Sequence, residues 1–336
     1  MSATQTFRLL VALFHVVTAT LIALISYASV SADARELRAA DNQMFDFPTV
    51  QAITFMDRYI RDRTNNIHRI RVFPSAQLGE EEQAIEQARR GVIDIVRVSM
   101  SPLATLVPEV DLFNAPYFFK SLEHLRRVTD GPVGEEILRR FEPHGLIGLA
   151  FYESGARSIY NSVLPIRVVK DVAGMRIRVQ RSTVANNFVE ALGGIPVPLS
   201  YSQVLPALRA RLIDGAENNW PSYVTTDHHL AARFYTLTNH MMVPDVLFMS
   251  AKTWHSFALS DRALLRDAAR ASAEFVRRRW DLWTEMSLKQ AIAEGVTVVD
   301  DFDRSGFQAA LKSVQDDVVK GVAAQDIVAK INALSP

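Results

Sequence analysis

Apolar and polar positions along this chain alternate between two rhythms. "ELRAADN" (36–42) reads as a short strand, and the following "TVQAITFMDRYIRDRT" sets Val50, Ile53, Met56 and Ile60 at helical spacing. "IHRIRVFP" alternates Ile67, Arg69 and Arg71 against His68, Ile70 and Val72, the period of a half-buried strand that Pro74 ends. "EEEQAIEQARRG" predicts a helix closed by Gly91, and "VIDIVRVS" another strand. The rhythm returns after residue 145. "LIGLAFY", "MRIRVQ" and "IPVPL" read as strands, "ANNFVEAL" as a helix, and "SYSQVLPALRARLI" as a helix with Ser200 and Gln203 placed as a capping box. Strands alternating with helices predict mainly parallel sheets covered on both faces. Two such runs make two α/β domains, and the first crossover falls near "ESGARS" (153–158), where Gly155 is the hinge candidate.

The segment from Ser260 to Ala293 contains neither Pro nor Gly. As one helix it would be a rod on the order of 50 Å, longer than one small domain is wide. Its apolar positions, Leu264, Leu265, Ala268, Ala269, Phe275, Val276, Trp280 and Trp283, predict a helix lying across both domains.

Composition narrows the possibilities. The 336 residues are 49% hydrophobic, enough for two ordinary cores, and 37 basic residues balance 37 acidic ones. No global field favours nucleic acid or an anionic membrane, so any charge preference must come from a local cluster. Arg8 is the sole charge before Asp33, and the apolar run between them ends in Val30-Ser31-Ala32. This pattern resembles a secretory signal peptide over residues 1–32, with a retained membrane anchor as the alternative. Either way the body is exported. There is no cysteine, which removes disulfides, thiol nucleophiles and thiolate metal sites.

Catalytic patterns are missing: no G-x-S-x-G, H-E-x-x-H, Walker-type loop or G-x-G-x-x-G occurs. His228 and His229 are adjacent and lack the spacing of a zinc pair, so a solvated surface is expected for them. The acids at 300, 301 and 303 fit a strand end followed by a helix cap. Arginines carry more information. In "GMRIRVQ", Arg176, Arg178 and Gln180 share one strand face, and Arg157 sits beside the crossover. A guanidinium there can hold a carboxylate through two parallel hydrogen bonds. "DGAENNWPSY" concentrates Glu217, Asn218, Asn219 and Trp220. Acid and amides suit sugar hydroxyls and the indole suits a C–H face. Equally, Trp220 could pack beneath the loop and Asn219 could cap it.

"VFPSAQLGEEEQAIEQARRGVIDI", "FNAPYFFKSLEHLRRV", "GMRIRVQ", "LGGIPVPLSYSQVLPAL" and "IDGAENNW" occur in the order found in solute-binding proteins of tripartite ATP-independent periplasmic (TRAP) transporters. The chain resembles that family over about residues 36 to 334. The resemblance implies a two-lobed α/β periplasmic binding protein with mixed sheets, a hinge and a long helix spanning both lobes. The lobes would be 33–154 plus about 243–282, and 155–242 plus about 283–336. It further implies a ligand carboxylate held mainly by Arg178, assisted by Arg157, with Asn218 and the early Asn42 beside it. Glu80, Arg97 and Ser99 would border the ligand. Two departures matter: Pro206 is expected to delay or bend its helix, and Asn219-Trp220 replaces the usual residue after Glu-Asn. That variant, with Glu217, is similar to members binding hexuronates such as glucuronate and galacturonate; C4-dicarboxylates, keto acids and other organic acids are the alternatives. No cofactor or metal is expected, and no catalysis. The implied partners are a sugar acid and the membrane permease subunits, for a monomer in the periplasm.

Overall fold

Two sheets carry the alternating pattern. The computed structural model describes residues 34–320 and 322–335, and the expected leader over residues 1–32 lies outside the described residues. The first lobe is built on strands β1 (Arg35–Ala40), β2 (His68–Phe73), β3 (Ile95–Ser99), β4 (Leu146–Tyr152) and β10 (Asp245–Ser250), in the order β2-β1-β3-β10-β4. The second has β5 (Arg157–Asn161), β6 (Arg176–Val179), β7 (Ile195–Pro198), β8 (Gly215–Asn218), β9 (Phe234–Met241) and β11 (Thr297–Val299), in the order β11-β9-β5-β8-β6-β7.

The sheets are mixed rather than mainly parallel. β1 runs parallel to β2 and β3, and β6 parallel to β7 and β8, as helix-linked strands do. β10 is antiparallel to β3 and β4, and β5 to β8 and β9. The reason is connectivity. β5 and β10 each enter from the other lobe, with no crossover helix to return the chain to the same sheet end. Asn42, Ser99, Gln180 and Asn219, at or just past the carboxyl ends of β1, β3, β6 and β8, line the cleft, which therefore lies where open α/β sheets bind ligands.

The long helix runs Leu259–Ala293, 35 residues. Leu265, Ala268, Ala269, Val276 and Trp280 pack in the first-lobe core, whereas Ala291 lies in the second-lobe core with Tyr160, Tyr223 and Tyr235. The rod therefore ties the lobes together. Gly155, at φ +62°, sits against it: a Cβ there would come within 2.6 Å of Trp280 Nε1. This is a left-handed backbone that only glycine adopts without strain.

Asp303 caps the helix Arg304–Val319, accepting from the Gly306 N–H at 2.9 Å, and this helix packs on Thr183–Ala191 of the second lobe. The helix Val322–Ala333 turns back. It packs on Pro132–Arg139, Ile327 and Ile331 are buried, and His124 Nε2 donates to the Ile331 carbonyl oxygen at 3.0 Å. The last helix thus touches both Arg304–Val319 and the first-lobe helix Pro132–Arg139, bridging the lobes where 283–336 was expected to lie with the second. Pro206 falls in the first turn of Val204–Arg209, after a 3₁₀ turn at Tyr201–Gln203, so that helix does start late. His228 and His229 are buried, not solvated. Tyr160 Oη and His228 Nδ1 are 2.7 Å apart, as are His229 Nε2 and Glu294 Oε2.

Candidate ligand-binding site

The first lobe's wall is built around Arg97. Alternation on β3 turns Arg97 and Ser99 to the same face, and that face meets the cleft. Arg97 is buried and surrounded by acids. Its Nε and Nη2 donate to Asp245 Oδ2 at 3.1 and 2.5 Å, and its Nη1 lies 3.3 Å from Asp41 Oδ1 and 3.8 Å from Glu81 Oε1. The same Nη1 donates to Asn42 Oδ1 at 2.9 Å, which fixes that amide at the cavity wall. Burial pushes Asp245 up to about 7 although Arg97 opposes it, and burial likewise raises Asp41 and Glu81. The three carboxylates together hold the Arg97 pKa above its ordinary value despite burial.

In the second lobe, neighbouring strands β5 and β8 bring Arg157 to Glu217. Arg157 Nε and Nη2 meet the two carboxylate oxygens at 2.5 and 2.7 Å, and Nη1 donates to Asn218 Oδ1 at 3.0 Å. Burial would raise the Glu217 carboxyl, but Arg157 and His240 outweigh it and lower it to about 2. Arg157 is thus neutralised by the protein itself, and its further task is to aim Asn218.

Arg178, on β6, is different. It is buried, and no carboxylate lies within 4 Å of it among the described residues. Its Nε and Nη2 donate to the Leu199 carbonyl oxygen at 2.9 and 2.7 Å. A guanidinium has five N–H donors, so the Nη1–Nη2 edge keeps a pair of N–H groups side by side. Burial lowers the Arg178 pKa, offset in part by Glu217 and Tyr160. A carboxylate on that edge would supply the missing counter-charge. Arg176, two residues earlier, faces outward and pairs with Asp214 at 2.8 Å.

The lobes meet closely. Arg181 reaches Glu82 at 3.4 Å, Ser99 Oγ donates to Gln180 Oε1 at 3.4 Å, and the cavity between them measures about 20 Å³, room for about one water. A cavity of this size is too small for a sugar, and the segments 153–156 and 242–244 are the strand-to-strand links between the two sheets.

Of the residues singled out in the sequence, Asn42, Arg97, Ser99, Arg157, Arg178, Asn218 and Asn219 line this cavity. Glu217 stands behind it, bound to Arg157. Asn219 is largely spent within the protein: its Oδ1 accepts from Ser222 N–H at 2.8 Å as a helix cap, and its Nδ2 donates to Ser154 O at 2.9 Å. Trp220 does not line the cavity. It stacks on Tyr235 with centroids 3.7 Å apart and lies edge-on to Tyr223, because the helix Trp220–Thr225 turns its first side chain away from the cleft and into the second-lobe core. Glu80 is also displaced. It precedes the helix Glu81–Arg90 and gives its N–H to Gln83 Oε1 at 3.2 Å, leaving it in a groove at the cleft mouth while Glu81 turns inward. The sequence reading missed Gln43, Glu81, Ser154, Tyr201, Ser222 and Asp245, which also form the lining. An acid opening the apolar run "DVLFMS" was the available signal for Asp245.

Two lobes closed around a small polar cavity, with a buried arginine that has no carboxylate partner among the described residues, define a two-lobed solute-binding protein. Residues 41–321 match the model of the family described as bacterial extracellular solute-binding protein, family 7, or DctP, and the chain belongs to that family. It is 31% identical over 274 residues to a solute-binding protein of Chromohalobacter salexigens, covering 82% of each chain. Among solved structures it resembles a TRAP periplasmic solute-binding protein from Bradyrhizobium sp. BTAi1 in complex with α/β-D-galacturonate, at 40% identity and TM-score 0.87, covering 89% of this chain and 100% of that one. A counterpart from Pseudomonas putida F1 with bound D-glucuronate is 32% identical at TM-score 0.86, covering 89% of this chain and 97% of that one.

Proposed function

We propose that this protein is the extracytoplasmic receptor of a TRAP transporter, capturing a hexuronate of the galacturonate or glucuronate type and delivering it to the membrane permease. The observation that carries the reading is Arg178: of the three arginines at the cavity, Arg97 and Arg157 are neutralised by protein carboxylates and Arg178 is not. Around it the wall is polar, with Asn42, Ser99, Gln180, Tyr201 and Asn218 offering donors and acceptors for ring hydroxyls. Uronate-bound relatives at 40% and 32% identity support the same substrate class. The leader-like first 32 residues and the family's extracellular character support a periplasmic location, in which the receptor works without a cofactor and without turning its ligand over.

A thermal-shift screen tests this reading. A ligand at 1,000 times its dissociation constant adds about 4 kcal/mol of stability. D-Galacturonate or D-glucuronate is expected to give the largest shift in a panel with succinate, pyruvate and neutral hexoses. A largest shift from an acyclic acid, with both uronates silent, overturns the substrate assignment.

A further inference from the structure

The cleft contains more acid than an anion receptor needs. Arg97, Arg157 and Arg178 line it, and four carboxylates lie in its wall or directly behind it: Glu81 and Asp245 in the lining, Asp41 behind on Arg97, and Glu217 behind on Arg157. With every group ionised the site carries a surplus negative charge before any ligand arrives. A bound uronate, whose carboxyl resembles an ordinary one with a pKa of about 3–4, would add another in the same buried space. Like charges at such distances cannot all persist out of water, and the least costly relief is a proton on one carboxylate.

We propose that anion loading in this cleft is coupled to proton uptake by the carboxylates packed around Arg97, so that the receptor takes in its acid ligand together with a proton. This rests on the reading of the site as an anion receptor. The geometry indicates which carboxylates take part. Glu217 is held by both oxygens on Arg157 and faces His240 at 3.6 Å, so it remains ionised. Asp41, Glu81 and Asp245 share one guanidinium, and two of them lie beyond 3 Å of it. Asp41 also accepts from Gln43 N–H and Thr49 Oγ1, and Glu81 from Ser99 N–H, whereas the hydrogen bonds to Asp245 come from Arg97. The other ionisable groups facing the cluster are Tyr152 from β4, Arg157 from β5, Arg178 from β6 and Tyr201 from the 3₁₀ turn after β7. The two tyrosines stay neutral, since burial raises both. Burial already brings Asp245 to about 7, and the three acids titrate as one unit.

The pH window follows. Below about 7 the cluster carries its proton before the ligand arrives, so little is taken up. Above that it is ionised, the incoming anion raises its proton affinity, and binding draws a proton from solution. Affinity then falls as pH rises, by up to about tenfold per unit.

The test is calorimetric titration of the whole protein with D-galacturonate and D-glucuronate at pH 8, in phosphate and in Tris, which differ widely in ionisation enthalpy. Coupling predicts a less exothermic signal in Tris, equivalent to about half to one proton per ligand. It also predicts a Kd rising several-fold per unit between pH 7 and 9, and a smaller proton number in Asp245→Asn and Glu81→Gln. If either variant fails to fold, the wild-type buffer pair alone decides. Binding with equal heats in both buffers and a Kd flat from pH 6 to 9 overturns the coupling while leaving the receptor reading intact. No binding of either uronate overturns both.

Discussion

Arg178 gives two of its N–H groups to one backbone oxygen, that of Leu199, at 2.9 and 2.7 Å. This bond fixes the plane of the guanidinium without neutralising it, so the charge stays available while the geometry is set in advance. Arg178→Lys keeps the charge but cannot both hold the Leu199 carbonyl and present paired donors. The expected outcome is a Kd for the preferred uronate at least about tenfold weaker in the lysine variant and at least about a hundredfold weaker in Arg178→Ala, by calorimetry.

Trp220 packs in the second-lobe core and does not line the cavity, so it is expected to serve stability rather than selectivity. Its stack on Tyr235 and its burial among Tyr160 and Tyr223 make truncation costly, about 3–5 kcal/mol for Trp220→Ala. Trp220→Phe should cost less and stay folded. Its ratio of galacturonate to succinate affinity should equal that of the wild type, a point that parallel titrations check.

Gly155 is expected to tolerate no side chain. Gly155→Ala meets both a φ of +62° and the Trp280 indole nitrogen at 2.6 Å, and should lower stability by about 1–3 kcal/mol in denaturant unfolding. Pairing it with Trp280→Phe, which removes the nitrogen, should give a smaller total loss than the two single losses added.

Glu217 supplies an acid-sensitive element. Its pKa falls to about 2 in the folded protein from an ordinary 4.5, so its contribution is complete above about 4.5 and is lost as pH drops towards 2. The stability difference between wild type and Glu217→Gln should shrink by about 3 kcal/mol over that range. Chemical denaturation at stepped pH measures it.

Much of this architecture was legible because it rests on local rules. Period-two and helical spacing marked the strands and helices, and the Pro- and Gly-free run marked the rod Leu259–Ala293. Arg178 and Arg157 stood out as cations beside strand ends and the crossover. What escaped depends on direction and distance. A helix start one residue earlier or later decides whether Glu80 or Glu81 turns inward. The face on which Trp220 lands depends on the turn after β8. Asp245 meets Arg97 across 148 positions of sequence, a pairing no local pattern encodes. The contact of the last helix with Pro132–Arg139, nearly two hundred positions earlier, is likewise a long-range outcome.

A buried Arg178 with no carboxylate partner among the described residues, set in a polar wall, is expected to select a cyclic sugar acid. Titrating the protein with D-galacturonate, D-glucuronate, succinate and neutral D-galactose tests it most directly. Succinate satisfies the arginine but leaves the wall's amides unpaired, and galactose does the reverse, each loss being worth about 1–3 kcal/mol or more. One of the uronates is expected to bind at least about tenfold more tightly than succinate and galactose alike. Succinate or galactose binding as tightly as both uronates would contradict it.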